Sequence, residues 1–314
     1  MHLQQKKFMI LGLFLAAGFL AAELFPQKPS KLDSTLLESG RATKISPSRQ
    51  RPAELKLVSY NIRWRSGDEL REMIELLKHD QEIGGAQIIG LQEVDRNRKR
   101  TGNTNTAKLM AEELGMHYAW AAPPASKENK EEETGVAILS IYPISDVRGL
   151  LLAHKGPGGR RRAAIGATID IAGSPVRIYS VHSETRIPVT KKIEQLKTVL
   201  QDLEAYPKDL AAVVLGDFNT WEPDAVTEMT RFFLSREFST PFPNDRETFL
   251  RRILSIPISL KLDWIWLRGL ESQSYGIDEK ICLSDHWPLW TVVKIGTANE
   301  KTESSQGQTN PVLE

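Results

Sequence analysis

Between residues 55 and 295 the chain alternates short apolar, β-branched runs with polar turns, and two amphipathic stripes interrupt them. Leu55 to Ile62 (LKLVSYNI) reads as a strand ending in Asn61, and Ala86 to Gln92 as a second, buried strand ending in Glu93. Between them Leu70, Met73, Ile74 and Leu77 recur at helical spacing, behind Ser66 and Glu69 at the spacing of a capping box. A helix is predicted from about Thr104 to Leu114, then strands over His117 to Ala121 and Gly135 to Ile141, with the charged stretch Lys127 to Glu133 as a loop. Ala163 to Ile171 and Val176 to Val181 flank Gly173-Ser174-Pro175 as a hairpin whose second strand ends at His182. Val189, Ile193, Leu196, Val199, Leu200 and Leu203 form one helical stripe. Ala211 to Leu215 is another buried strand, ending in Gly216-Asp217, and strands follow around Lys261 to Leu267 and Leu289 to Ile295. The mixture lacks strict alternation of strand and helix. It predicts an α/β block on a mixed sheet, not a doubly wound parallel one.

The ends of the chain do not share this pattern. Lys6 and Lys7 precede an apolar and small-residue run from Phe8 to Ala22, so residues 1–25 are expected to be a targeting segment, either a cleaved signal peptide or an uncleaved membrane anchor. The run is short of the roughly 20 apolar residues of a bilayer span, although Leu24 and Phe25 extend it. With the lysines held inside, the remainder is expected to be extracytoplasmic, either membrane-anchored or secreted. Residues 26–52, polar and carrying Pro29, Pro47 and Pro52, read as a linker, residues 53–296 as the folded domain and residues 297–314 as a disordered tail.

Lys and Arg total 41 against 40 for Asp and Glu, a net charge of +1. The chain therefore lacks the bulk basicity of a nucleic-acid-binding domain, and a polyanion must be met locally. Two basic loops offer that: Arg96, Arg98, Lys99 and Arg100, then Arg160, Arg161 and Arg162. Arg100, Arg161 and Arg162 are the expected substrate contacts, because forked guanidinium donors suit phosphate. The single cysteine, Cys282, excludes an intrachain disulfide framework and a multi-cysteine zinc site, and is read as a small buried apolar residue. Nothing in the sequence points to a protein partner.

The polar residues that end the apolar runs form a chemical set. Asn61, Glu93, Asp217, Asn219, Asp263 and Asp285 supply oxygen ligands, and His182 and His286 supply imidazoles. Each alone is as readily a turn or a solvated side chain. Together they suit a hard cation, Mg²⁺ or Mn²⁺, and phosphoester hydrolysis by direct attack of water.

Five segments carry a resemblance: Ser59-Tyr60-Asn61-Ile62, Leu91-Gln92-Glu93-Val94, Gly216-Asp217-Phe218-Asn219, Leu262-Asp263-Trp264-Ile265 and Ser284-Asp285-His286-Trp287-Pro288. In this order the chain resembles the endonuclease/exonuclease/phosphatase superfamily, which includes deoxyribonucleases, inositol phosphatases and sphingomyelinases. Val94-Asp95-Arg96, Arg100-Thr101-Gly102 and Gly135-Val-Ala-Ile-Leu-Ser140 are similar to a membrane-associated subgroup related to glycosylphosphatidylinositol-anchor lipid remodelling proteins. The resemblance implies a four-layer α/β/β/α sandwich of two mixed sheets with the site at one rim. It implies Glu93 and Asn61 as metal ligands, with Asp285 at the metal or its water shell. It implies that Asp217 activates the water, Asn219 holds the phosphate, His286 faces the scissile phosphate with Asp263 as its partner, and His182 assists. The function expected is a divalent-metal-dependent phosphodiesterase acting on a lipid or inositol-type diester. The alternatives are an extracytoplasmic nuclease and a catalytically silent binding module of the same fold.

Overall fold

The computed structural model describes residues 32–43, 52–125, 133–254 and 256–295. The expected targeting segment, residues 26–31 and 44–51 of the expected linker, residues 127–132 of the charged loop and the tail lie outside the described residues. Among the described residues no helix is long and apolar enough to cross a membrane.

The first sheet begins with β1 (Leu37–Arg41) and β2 (Glu54–Asn61); helix α1 (Gly67–His79) leads to β3 (Ile88–Asp95), and α2 (Thr106–Leu114) to β4 (His117–Ala121) and β5 (Thr134–Ser140). The second sheet follows with β6 (Ile144–Leu151), β7 (Ala163–Ile171) and β8 (Ser174–His182), then helix α3 (Val189–Leu203), β9 (Ala211–Asp217) and helix α4 (Pro223–Leu234). A hairpin of β10 (Phe249–Ile253) and β11 (Ile256–Leu260) precedes β12 (Asp263–Arg268), β13 (Glu271–Ile277) and β14 (Leu289–Lys294). Strand order is β1-β4-β5-β3-β2-β14-β13 in one sheet and β12-β9-β8-β7-β6 in the other. Within these two sheets only β2/β3 and β8/β9 are parallel, and a helix makes each crossover, α1 in the first and α3 in the second.

Period-two alternation explains the layers. Leu55, Leu57 and Ile138 from one sheet meet Ile165, Ile178 and Leu215 from the other in a single buried cluster. The alternate residues Val58, Ile89 and Trp120 turn outward onto Leu70, Met73 and Met110 of the first two helices. Tyr179, Val214 and Trp266 do the same against Ile193, Leu196 and Phe233 of the second pair. Central strands covered on both faces read as continuous apolar runs, the pattern that made them visible in the sequence. The result is the four-layer α/β/β/α sandwich that the resemblance implied.

Several elements differ from expectation. The stretch read as a linker contributes β1, which pairs with β4 through Leu37 opposite Ala121. Beyond Leu37 its residues are polar or glycine, so no apolar alternation announces it; it is held by tertiary contacts instead. Glu38 accepts from Tyr118 Oη at 2.7 Å and from Arg96 at 3.0 Å, and the Arg96 guanidinium lies 4.2 Å over the Trp120 ring while also reaching Glu133 at 2.6 Å. Strands β6 and β13 lie at sheet edges, with half-exposed, irregular burial, and escape a pattern-based reading for that reason. Ser66 makes no side-chain cap of α1; Glu69 pairs with Arg65 at 2.8 Å instead. Cys282 is exposed rather than buried, in the turn that precedes the Ser284-Asp285-His286 loop.

Helix α3 is fastened to its sheet by a buried ion pair. Fully buried Arg177 on β8 donates to Asp202 at 3.1 Å, and Tyr179 Oη donates to the same carboxylate oxygen at 2.7 Å. Removing one partner of such a pair strands the other charge in a low-dielectric interior. Asp202→Ala is therefore expected to cost about 3–5 kcal/mol. Urea denaturation checks this, as a lowered midpoint at unchanged slope.

Candidate active site

Strand direction brings the polar run-ends to one rim. The parallel pairs β2/β3 and β8/β9 finish there, carrying Asn61, Glu93, His182 and Asp217. Strands β14 and β12, antiparallel to β2 and β9, begin there, carrying Asp285-His286 just ahead of β14 and Asp263 at the head of β12. Within the second sheet His182, Asp217 and Asp263 stand in register on neighbouring strands. From the first sheet Asn61 Nδ2 reaches across to Asp217 Oδ2 at 3.1 Å and lies 3.5 Å from Glu93 Oε1 and 3.4 Å from His286 Nε2.

The local backbone is bent to aim these groups. A bulge between Gln92 and Val94 puts Glu93 at φ 56°, turning it out of the ladder. Gly216 has φ 135°, and a Cβ there would lie 2.1 Å from the Val181 carbonyl oxygen, so only glycine lets β9 approach β8 this closely before Asp217. Asn219, at φ 52°, donates from its backbone N to Asp217 Oδ1 at 3.0 Å and from Nδ2 to the Ser183 carbonyl at 3.1 Å. Arg63 and Trp64 also have positive φ. Left-handed non-glycine residues cost energy and collect where geometry serves function.

The two histidines are held in opposite charge states. His286 Nδ1 is 2.8 Å from Asp263 Oδ2, the same oxygen that accepts from Thr248 Oγ1 at 2.7 Å, and His286 Nε2 is 3.8 Å from Asp217 Oδ2. Burial opposes a charge on His286, but the Asp263 and Asp217 carboxylates outweigh it and raise its pKa to about 10. His182 is pushed the other way, well below the usual histidine range, by burial and by the Arg162 guanidinium. Arg162 Nη1 is 3.3 Å from His182 Nδ1, and a guanidinium only donates, so the His182 proton is on Nε2, which faces Asp217 Oδ2 at 3.5 Å. Asp217 is raised to about 7 by burial, then by the negative charges of Asp263 and Glu93, with the His286 cation opposing.

That raised carboxyl tests whether a cation fits. Burial is the main cause of that shift and the repulsion of Asp263 and Glu93 a smaller one; the three carboxylates bring oxygen donors and no thiolate to one place, a donor set that suits a hard divalent ion. Asp217, Asp263 and His286 approach one another closely enough to hold an ion. A protonated imidazole bonded to a carboxylate is no ligand, however, so His286 and Asp263 act as a hydrogen-bonded pair and the fit rests on Glu93 beside Asp217; Asn61 turns Nδ2 toward these carboxylates and Oδ1 to the Arg63 N–H at 3.1 Å, so it would ligate only with its amide turned over.

The remaining predicted residues are placed as follows. Asp285 lines the cleft but pairs with Arg63 Nη1 at 3.1 Å, outside the buried Asp217/Asp263/His286 group. Arg100 is held by Asp95 through bonds of 2.6 and 2.9 Å and stacks 4.3 Å from the Trp64 ring. Arg161 donates to the Leu152 carbonyl at 2.9 Å. With Arg160 and Arg162 these two line a pocket that adjoins the cleft of Asp217 and His286 and shares Trp64, Glu93 and Arg162 with it. Sequence reasoning missed Thr248, which orients Asp263, and Phe249, whose ring stands edge-on 4.9 Å from His286. Neither is in a motif; only the return of the chain past His286 reveals them.

A family profile described as PGAP2IP, C-terminal nuclease-like domain, matches residues 55–223, more than half of the chain. No curated protein matches significantly. Among solved structures, the human Nocturnin catalytic domain with a bound sulfate anion is similar with a TM-score of 0.61 at 18% identity, over 86% of this chain and 99% of that one. An endonuclease/exonuclease/phosphatase from Beutenbergia cavernae DSM 12333 gives 0.60 at 15% identity, over 79% and 73%. D. rerio TDP2 complexed with a single-strand DNA product gives 0.59 at 14% identity, over 78% and 100%. At these identities the likeness establishes the fold.

The electrostatics set a pH dependence for the metal-free protein. Between pH 3.8 and about 7 folded Asp217 keeps a proton that the unfolded chain has lost, and between 6.5 and about 10 folded His286 does the same. Stability contributed by these groups therefore falls as pH rises through both windows. Thermal melts in EDTA are expected to show this decline, and Mg²⁺ to raise Tm more at pH 8 than at pH 5. Asp263→Asn, which removes the charge that holds the His286 proton, is expected to flatten the upper window.

Proposed function

The chain belongs to the family described as PGAP2IP, C-terminal nuclease-like domain, within the endonuclease/exonuclease/phosphatase superfamily, and we propose that it is a divalent-metal-dependent phosphodiesterase using direct attack of water. The observation that carries this reading is the buried convergence of Asp217, Asp263, His286 and Asn61, with Glu93 beside them, on a cleft of about 470 Å³.

Glu93, and Asn61 with its amide turned over, would hold the Mg²⁺ or Mn²⁺ ion, with Asp285 on the cleft wall near them; when bound, such an ion polarises a phosphoryl oxygen and stabilises the leaving oxygen. Asp217, whose burial keeps its carboxylate basic, orients the attacking water and takes its proton. His286 donates its Nε2–H to a phosphoryl oxygen as charge builds there, and Asp263 keeps it protonated and aligned. Neutral His182 and the backbone N–H of Asn219 fix the Asp217 carboxylate from two sides. Asn219 also lines the cleft, where it would meet the phosphate.

The substrate favoured is a lipid or inositol-type phosphodiester. The cleft walls mix Trp64, Trp221, Phe249, Leu260 and Leu262 with the charged groups, and the chain's net charge is only +1. A location outside the cytoplasm follows from Lys6, Lys7 and the apolar run behind them. A nuclease is the second reading, favoured by the adjoining pocket of Arg100, Arg160, Arg161 and Arg162. Against it, Arg100 is spent on Asp95, and Arg160 and Arg162 on Glu184, at 2.6 Å and 3.4 Å for the last two.

Hydrolysis of bis-p-nitrophenyl phosphate is expected with Mg²⁺ or Mn²⁺ and to vanish in EDTA. Asp217→Ala should lower kcat about 10²–10⁴-fold and His286→Gln about 10²–10³-fold, in variants that circular dichroism shows folded at the assay temperature even where their Tm has moved. No turnover of any diester by a folded, metal-binding protein would sink the proposal. Phospholipid and single-stranded DNA substrates compared across salt separate the two readings, since a nuclease with several phosphate contacts loses affinity steeply as salt rises.

A further inference from the structure

The β10/β11 hairpin pairs with neither large sheet. It also exposes apolar side chains: Leu254 and Ile256 are 92% and 66% exposed, the two most exposed large hydrophobics among the described residues, and Leu250 and Ile258 are more than a third exposed. Apolar surface of this kind marks an interaction site. Arg251 and Arg252 are exposed beside it, and no Asp or Glu occurs from Phe249 to Leu260.

The register ties this surface to the active site. Phe249 opposes Leu260 and Arg251 opposes Ile258, so these four and Ile256 share one face. At its root that face lines the catalytic cleft through Phe249, Arg251 and Leu260; outward it continues as Ile258 and Ile256. The root is bonded to the histidine loop, with Leu250 N donating to the Asp285 carbonyl and Trp287 N to the Thr248 carbonyl, both at 2.8 Å. The hairpin therefore stands in a set position relative to His286.

Leu250, on the opposite face, is apolar and exposed as well, and Leu254 caps the tip. A shaped protein groove would cover one face. Apolar exposure on both faces, with Arg251 and Arg252 on the hairpin and the neighbouring acid Glu247 kept at its root, where it accepts from Ser259 Oγ at 2.6 Å, matches a fluid, anionic interface. We infer that the hairpin is a lipid-surface contact, its tip entering the interfacial layer of an anionic phospholipid bilayer and bringing that surface to the mouth of the cleft. The inference goes beyond the proposed hydrolysis and needs no turnover.

The test uses the full chain with Leu254→Cys in a Cys282→Ser background, labelled at position 254 with an environment-sensitive fluorophore. It is mixed with vesicles of phosphatidylcholine and phosphatidylglycerol that carry nitroxide-labelled acyl chains. Quenching of the label is expected, with affinity falling as salt rises and about tenfold on Arg252→Glu. An unquenched label on vesicle-bound protein would overturn the inference, because the N-terminal segment alone would then hold the membrane. A blue shift that depends on protein concentration without quenching would overturn it in favour of a second copy of the chain. Equal quenching in purely zwitterionic vesicles would remove the role given to the arginines. Quenching without diester hydrolysis would count against the catalytic reading alone, and hydrolysis without quenching against this one alone.

Discussion

Everything at the active rim depends on the face-to-face packing of the two sheets. Asn61 and Asp217 are remote in sequence and belong to different sheets, yet their side chains meet at 3.1 Å. They meet because Leu55, Leu57, Ile138, Ile165, Ile178 and Leu215 interdigitate between the sheets, each contributing about 1.5–3 kcal/mol on burial. Beneath the site a polar tie sets the alignment more finely. Gln92 Nε2 donates to Ser180 Oγ at 3.1 Å, and Ser180 Oγ donates to the Leu91 carbonyl at 3.0 Å, joining the strand before Glu93 to the strand before His182. Apolar packing brings the sheets together without fixing their slide; buried hydrogen bonds, costly to leave unmade, select one register.

The same burial that builds the sandwich tunes its chemistry. Asp217, Asp263, His182 and His286 are all nearly inaccessible to solvent, so each charge is decided by its neighbours rather than by water. His286 faces two carboxylates that hold it protonated against burial; His182, driven first by burial and then by the Arg162 guanidinium, stays neutral although Asp217 is also near it. Identical side chains in one cluster therefore take different tasks. The positive φ angles of Arg63, Trp64, Glu93 and Asn219 are a second local cost, offset by the packed layers behind them.

The central strands and the first three helices were legible because burial on both faces, or on one helical stripe, leaves a periodic trace in the residues. The run-end polar residues were legible too, and the structure gathers Asn61, Glu93, His182, Asp217, Asn219, Asp263, Asp285 and His286 about one cleft. Strand β1 was not legible, because Glu38-Ser39-Gly40 carry no apolar signal and owe their place to Arg96 and Tyr118. Helix α4 carries a signal of the same kind, in Ala225, Val226, Met229, Phe232 and Phe233 at helical spacing.

What the sequence by itself determined is the inventory: a mixed α/β core, oxygen-rich groups at strand ends, and a near-neutral charge with two arginine loops. Those are local properties, written in periodicity and residue type. Only the tertiary structure decided which charges remain. It spends Arg100 on Asp95 and Asp285 on Arg63, gives Asp263 to His286, and turns the basic loops from open phosphate clamps into partly neutralised walls. The physical reason is that pairing and burial depend on distances between residues far apart in the chain, and side-chain charge in a low-dielectric interior follows those distances rather than the residue's own chemistry.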